Sequence, residues 1–257
     1  MARLTGANRE RERALQAALQ DRISLSFRNG INQELRRESE RLARQFTITG
    51  DVEQVSPQHA KRILALLQQC YTATIETFGS RILDQINETS KGVSPKTLKD
   101  ESPDLWMRLV MDYMATRGAQ KIADDIAQTT KNQIAAIVAR GLENGQSVVE
   151  IGGDISAKVG AVATLRANTI ARTETHGAAG FGSLGTAQQT GLQLVKEWIA
   201  ARDERTRLEH SSADGQTVQM NDPFIVAGER LQYPGDPNGS AGNVINCRCA
   251  SGYLTED

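Results

Sequence analysis

The sequence predicts an α+β protein: long N-terminal and central helices followed by a small C-terminal β-rich unit. Three observations carry this. Apolar residues recur at spacings of four and seven through the N-terminal half, Ala and Gly dominate the run from Leu165 to Gln189, and the chain beyond residue 190 breaks into short β-prone patches between turn signals. The organisation implied is a helical N-terminal arm over residues 1–100, a central helical segment over 101–190 and a β-rich segment over 191–257.

In the arm, Leu15, Leu19, Ile23, Phe27, Ile31, Leu35, Leu42 and Phe46 form one stripe on a helix running from Asn8, which Asn29-Gly30 interrupts, so one kinked helix or two shorter ones fit. Ser56-Pro57 supplies an N-cap and a first helical position ahead of Ile63, Leu67, Tyr71, Ile75, Phe78, Ile82 and Ile86. Lys91 to Pro103 reads as a loop. Beyond Ser102-Pro103, Leu105 to Met114 open another helix, and Lys121 to Arg140 continue helically into a turn at Gly141 to Gly145. Ser147 and Glu150 have the spacing of a capping box, predicting a short helix through Ile155. The run from Leu165 to Gln189 is a helix so rich in small residues that something must pack very close to it. Trp198 to Ala200 reads as a strand, Asp203 to His210 as a polar segment, Asp214-Gly215 as a tight turn. Thr217-Val218 and Phe224 to Val226 are short β patches, Tyr233 to Pro237 is a loop, and Asn243 to Cys249 is expected to be the last strand.

At 257 residues the chain is long enough to bury a real core, and 39% hydrophobic with only 4% aromatic residues implies long solvated helices. Its net charge of −1 hides a polarity, with ten Arg against six carboxylates in residues 1–48 and six basic against ten acidic residues in 192–257. The two ends therefore differ in electrostatic preference. Met1 to Gln20 lacks the apolar core of a signal peptide, and no stretch approaches the roughly 20 apolar residues of a membrane span, so a protein made and kept in the cytoplasm is expected, with no membrane partner. Three Cys, two of them in Cys247-Arg248-Cys249, do not make a disulfide framework.

The order Trp198, Asp203, Arg207, His210, Asp214-Gly215, Phe224, Pro234-Gly235-Asp236, Asn246-Cys247-Arg248-Cys249 resembles the signature of the phage Mu F-like minor head proteins of the head morphogenesis class. Upstream, Gly141 to Ser147 and Arg172-Thr173-Glu174 resemble further segments of that family, so the likeness covers roughly residues 130–250. The C-terminal β-rich unit is then part of a Mu F-like domain, with Arg172, Glu174, Trp198, Asp203, Arg207, Asp214 and Gly215 as its structural signature.

Four constellations bear on chemistry. His210, Cys247 and Cys249 offer imidazole and thiolate ligands suited to Zn²⁺; a structural site needs a fourth ligand, for which Asp203, Asp214 and His176 are the options. The alternative is that both thiols pack as small hydrophobes on one strand face while His210 bonds a turn. The resemblance implies a likeness in fold to ADP-ribosyltransferases, for whose chemistry Arg172, Glu174 and His176 would be the candidates, yet residues two apart on a helix point about 200° from each other, and no Gly-rich phosphate loop follows a strand. Arg172 pairing with an acidic residue, to lock helix to β unit, is the structural reading. A metal-dependent hydrolytic centre around Asp203, Arg205, Arg207 and His210 lacks convergent acids and a basic surface; Arg forks bridging carboxylates and carbonyls suit these residues better. Lastly, Arg9, Arg11, Arg13, Arg36 and Arg37 are candidates for contact with DNA or with the portal, although interleaved Glu also fits a solvated helix.

The resemblance implies a minor head protein of a tailed phage or prophage, in the virion near the portal vertex and in the host cytoplasm during assembly. It would act in head morphogenesis and in DNA packaging or ejection. The partners implied are the portal protein, with the major capsid or scaffolding protein and double-stranded DNA as further ones. No catalytic residue is assigned and Zn is the only cofactor considered; an ADP-ribosyltransferase-like or metal-dependent hydrolytic enzyme is the alternative.

Overall fold

In the computed structural model, residue 4 and residues 6–51, 56–89 and 102–255 are described. Five helices come first: α1 (Gly6–Thr49), α2 (Pro57–Thr89), α3 (Ser102–Arg117), α4 (Ala119–Glu143) and α5 (Val148–Gln189). The remainder holds strand β1 (Leu194–Ile199), a short helix α6 (Leu208–Ser212), strands β2 (Thr217–Gln219), β3 (Phe224–Val226) and β4 (Glu229–Leu231), a helical turn α7 (Ala241–Val244), and β5 (Ala250–Thr255). The fold is α+β, as the periodicities predict.

Local chemistry sets several boundaries. Ser56 Oγ accepts the Gln58 N–H at 3.2 Å, so Ser56-Pro57 caps α2 as expected. At the start of α5, Ser147 N donates to Glu150 Oε2 at 2.7 Å and Glu150 N to Ser147 Oγ at 3.3 Å, the reciprocal bonds of a capping box. Helices α3 and α4 are separated by Gly118 alone, which sits at φ 68°, a left-handed conformation that ends one helix and starts another at little steric cost. Of the loop expected over 91–103, residues 91–101 lie outside the described residues, while 102 and 103 open α3.

Of the two alternatives at Asn29-Gly30, one helix is found; a Cβ on Gly30 would meet Leu66 Cδ2 at 2.7 Å, so the glycine serves close packing. Two expectations are corrected. The helix expected to stop at Ile155 runs on to Gln189 as one element. Asn243 to Cys249 is a helical turn followed by irregular chain, and the last strand is Ala250–Thr255.

The chain divides into two compact units, one of Met1–Ser24, Cys70–Arg117 and Arg172–Asp257, the other of Leu25–Gln69 and Gly118–Ala171. They cut the sequence differently from boundaries at 100 and 190, because α1, α2 and α5 each contribute residues to both. In the second unit Leu42, Ala43 and Phe46 of α1 pack with Ile134 and Val138 of α4 and with Ile151, Ile155 and Val159 of α5. Here the predicted stripe is buried, whereas Leu15, which falls in the other unit, is 42% exposed. A polar cluster accompanies this packing: His59 Nδ1 lies 3.0 Å from Glu34, Arg62 pairs with the same carboxylate, and Glu38 accepts the Ser56 N–H and pairs with Arg41.

In the first unit β1 is the central strand of an antiparallel sheet of order β2-β1-β5, in which Glu197 stands opposite Thr217 and Gly252. All six β1 residues are buried. Strands β3 and β4 form a separate hairpin closed by Ala227 and Gly228, both at positive φ, the geometry of a two-residue turn that matches strand twist. One apolar cluster joins Ile82, Ile86, Leu184, Leu194, Tyr233 and Tyr253; a second joins Trp198, Ala213, Phe224, Val226, Leu231, Cys247 and Cys249. The small residues of α5 meet the close packing they imply: a Cβ on Gly182 would stand 3.0 Å from the Ile75 Cα, and one on Gly180 would stand 2.8 Å from the Pro234 carbonyl oxygen and 2.5 Å from the Tyr233 ring.

This contrast within one helix is testable. Gly180→Ala is expected to destabilise the protein by about 1–3 kcal/mol, because backbone stands in the way of the added methyl. Gly153→Ala, where nothing lies within 4 Å, is expected to stabilise by about 0.5–1 kcal/mol through helix propensity. Urea unfolding of the two variants against the parent measures both signs.

Candidate metal centre

His210 lies on α6, and Cys247 and Cys249 lie on the irregular segment that leads into β5. The two sulfurs converge on one ring nitrogen: Cys249 Sγ is 3.4 Å and Cys247 Sγ 3.6 Å from His210 Nδ1. All three side chains are buried, and their ligand atoms lie within 4.8 Å of one another. The opposite ring nitrogen, Nε2, is 3.1 Å from Asn243 Oδ1, while Asn243 Nδ2 donates to the Val226 carbonyl at 3.3 Å. That second bond fixes which way the amide faces, so Nε2 carries a hydrogen and Nδ1 faces the sulfurs. The Trp198 ring closes the site at 5.7 Å from the imidazole centroid, edge to face.

The two thiols are not equivalent. Cys249 is the first to ionise: the hydrogen bond from Cys247 is the largest cause, burial opposes it, and the bond and charge of His210 add to the lowering. Cys247 is pushed up, chiefly by donating its own proton to Cys249 and then by burial. Burial alone would lower the His210 pKa, but its bond to and attraction for Cys249 raise it. The arrangement is a soft donor set of one nitrogen and two sulfurs.

A lattice of charged bonds positions these pieces. Asp203 Oδ1 accepts the Arg205 N–H at 3.0 Å and the Thr206 hydroxyl at 3.1 Å, closing the turn before α6, and its carboxylate pairs with Arg248 between the two cysteines. Arg207 donates to the Ile245 carbonyl at 2.6 Å. Asp214 accepts the Ala200 N–H at 2.8 Å and pairs with Arg202, and the following Gly215 N–H returns to the Trp198 carbonyl at 2.9 Å. Of the expected fourth ligands, Asp203 and Asp214 are thus held by guanidinium groups, and His176 Nδ1 lies 3.3 Å from Gln20 Oε1. The two cysteines do not share a strand face, since neither is on a strand.

Residues 132–251 match the family model described as Phage Mu protein F like protein, a span that contains the whole of this lattice and both cysteines. This segment is similar to the phage Mu F-like family. Among curated proteins, the chain is 30% identical over 158 residues to minor head protein GP7 of Bacillus phage SPP1, covering 60% of this chain and 51% of that one. It is also 31% identical over 134 residues to NAD(+)–arginine ADP-ribosyltransferase EFV of Enterococcus faecalis (strain ATCC 700802 / V583), covering 51% of this chain and 26% of that one. The chain thus spans about half the length of the first relative and about a quarter of the second. No solved structure matches it.

Within the Mu F-like segment Arg172 and Glu174 part company, as helical geometry requires. Glu174 is buried and bound by three donors: Arg117 Nη2 at 2.7 Å, Arg117 Nε at 3.1 Å and the Tyr71 hydroxyl at 2.7 Å. The ion pair expected of Arg172 is therefore made by Glu174, with α3. Arg172 instead borders a cleft of about 200 Å³ with Arg13, Asp21, Asp203, Arg205 and Arg248. Nothing in the sequence around Arg117 marks it as Glu174's partner, and Asn243 is hidden among loop-forming residues. Pro234-Gly235-Asp236 has a mechanical reading: Gly235 sits at φ 85°, a Cβ there would meet the His176 ring at 2.6 Å, and Asp236 accepts the Gln232 and Asn238 N–H groups at 2.7 and 2.9 Å.

The N-terminal arginines divide as well. Arg9 pairs with Glu197 at 3.1 Å and Asp214 at 2.9 Å, and Arg13 donates to the Ala200 carbonyl at 2.7 Å, so both are turned onto the β unit, whereas Arg11, Arg36 and Arg37 are exposed. Arg36 donates to Asn32 and to Thr164.

Two outcomes follow. Glu174→Ala leaves Arg117 without its buried counterion and is expected to cost about 3–5 kcal/mol in urea unfolding. Burial, with smaller contributions from His210 and Arg248, pushes the His176 imidazole down to about 3. The unfolded chain therefore takes up this proton near pH 6.5 and the folded chain only near 3, so stability falls as pH drops through that window, by up to about 1.4 kcal/mol per unit. His176→Gln should flatten that part of the stability profile measured by urea unfolding between pH 6.5 and 4.

Proposed function

We propose that this chain is a minor head protein of a tailed phage or prophage, carried in the virion at the portal vertex. It is assembled there in the host cytoplasm and serves head morphogenesis and DNA packaging or ejection. The observation that carries the reading is the match across residues 132–251 together with the likeness to a phage minor head protein. The portal protein is the partner we assign first, with the major capsid or scaffolding protein and double-stranded DNA as secondary ones.

The side chains support an assembly role over catalysis. The acid an ADP-ribosyl transfer would use, Glu174, is buried and bound on both oxygens by Arg117 and Tyr71. Its neighbour Arg172 points elsewhere, into the cleft with Arg205 and Arg248. No described helix is long and apolar enough to cross a membrane, so the reading needs no bilayer. Arg9 and Arg13 are bonded to the β unit while Arg11, Arg36 and Arg37 face solvent, which favours the last three as the partner contacts. Exposed arginines interleaved with Glu40 suit a protein surface of mixed charge better than a phosphate backbone.

Co-expression with the portal protein of the same phage genome, followed by size exclusion with light scattering, tests this. One complex of defined stoichiometry is expected, and Arg36→Glu with Arg37→Glu should weaken it roughly tenfold or more while the isolated chain stays folded. Clean separation of two well-folded proteins overturns the portal assignment. Retention on duplex DNA that falls steeply with salt would move the exposed arginines to DNA.

A further inference from the structure

We propose that His210, Cys247 and Cys249 hold one Zn²⁺ ion through Nδ1 and the two Sγ atoms, with the fourth position, which no other described acid or histidine reaches, taken by water or a bound small ligand. The site stands independently of the minor-head reading. It rests on a coincidence of distances and on the direction of one ring. Zinc bonds of about 2.3 Å to sulfur and about 2.0–2.1 Å to nitrogen, meeting at the tetrahedral angle, place a nitrogen ligand about 3.6 Å from each sulfur ligand. The two N···S distances here are 3.4 and 3.6 Å.

Thiol hydrogen bonding explains one of these approaches, not both. In the zinc-bound state the imidazole is neutral, Asn243 takes its Nε2 hydrogen, and the Nδ1 lone pair points between two sulfurs at nearly equal range. A shared cation gives all three donors the same partner. The Asn243 carbonyl is then the outer group that fixes tautomer and ring orientation, a role usual around metal-bound histidines. The donor set is soft, buried and lined by Trp198, Ala213 and Phe224, which suits thiolate binding of zinc and excludes the hard oxygen-preferring cations.

Among the described residues no fourth histidine, cysteine or carboxylate joins the group within 4.8 Å, and Asp203, Asp214 and His176 have other partners. The ion ties α6 to the segment entering β5, two pieces with little regular structure of their own, in a unit whose strands are three to six residues long. Binding energy at such a site is folding energy.

The full chain, expressed in zinc-supplemented medium and purified without chelator, should carry one equivalent of zinc by inductively coupled plasma mass spectrometry. Replacement by Co²⁺ should give sulfur-to-cobalt charge-transfer absorption, a readout on the unmutated protein that does not depend on any variant folding. Cys247→Ser, Cys249→Ser and His210→Ala should each reduce retained zinc at least tenfold, Asn243→Ala should weaken it about 10–100-fold, and Cys70→Ser, a buried thiol away from the site, should leave it unchanged. A folded, metal-free protein with three free thiols after zinc reconstitution overturns the proposal, as does a Cys247–Cys249 disulfide seen as the loss of two hydrogens in the intact mass, or zinc that survives all three ligand substitutions.

Discussion

The close approach permitted by the C-terminal half of α5 is the constraint on which the first unit depends. From Ala171 to Ala187 this helix presents Ala178, Ala179 and Gly177, Gly180, Gly182 and Gly185 to its neighbours, and the backbone of α2, the Leu109 and Tyr113 side chains of α3 and the 233–235 loop come within contact distance of where side chains would otherwise stand. Dispersion forces act over a few ångströms, so a helix without side-chain bulk lets three neighbours pack directly on its backbone. The aromatic rings fill what remains: Tyr71 meets Tyr113 at 4.8 Å, Tyr113 meets Phe181 at 5.0 Å, and Phe181 meets Tyr233 at 6.2 Å. With only 4% aromatic residues in the chain, their concentration here marks this packing as the centre of the unit.

Such close packing places polar groups in a dry environment, where each must find a partner. Glu174 does so with Arg117 and Tyr71, Glu197 of the buried central strand with Arg9 and the Leu4 N–H, and Lys196 with the Gln232 carbonyl and amide oxygens at 2.8 and 2.9 Å. Burial lowers the Lys196 pKa to about 8, against the pull of Asp236 and Asp222, and the ammonium lies over the Phe224 ring at 5.2 Å. The start of α1 belongs to this system: its inward residues are Arg9, Glu12, Arg13 and Gln16, a polar stripe that bonds β1, β5 and Arg81. A helix can dock through charge where the surface beneath it is itself a row of carbonyls and carboxylates.

The same lattice explains why the Mu F-like signature is mostly charged and small residues. Asp203, Arg207, Asp214 and Gly215 fix turns, and Arg248 ties the segment between the two cysteines back to Asp203. What these bonds hold in place is the His210–Cys247–Cys249 group. A loop-rich unit with strands this short needs cross-links, whether by ion pairs or by a metal.

Much of this was legible in the sequence. The apolar period set α2, α3, α4 and the buried half of α1; Ser56-Pro57 and the Ser147–Glu150 pair set two helix starts; the Ala and Gly content of 165–189 announced a close contact; and the Cys-x-Cys with an upstream His marked the metal candidate. These are short-range facts, governed by the chain's own dihedral preferences and by hydrogen bonds between residues a few positions apart. Tertiary structure alone decided that Arg117, 57 positions from Glu174, is its counterion, that Asn243 orients His210, and that Arg9 and Arg13 face the sheet while Arg11 does not. A guanidinium looks the same in sequence whether it faces a carboxylate or water, and only the packing that brings distant segments together selects between the two.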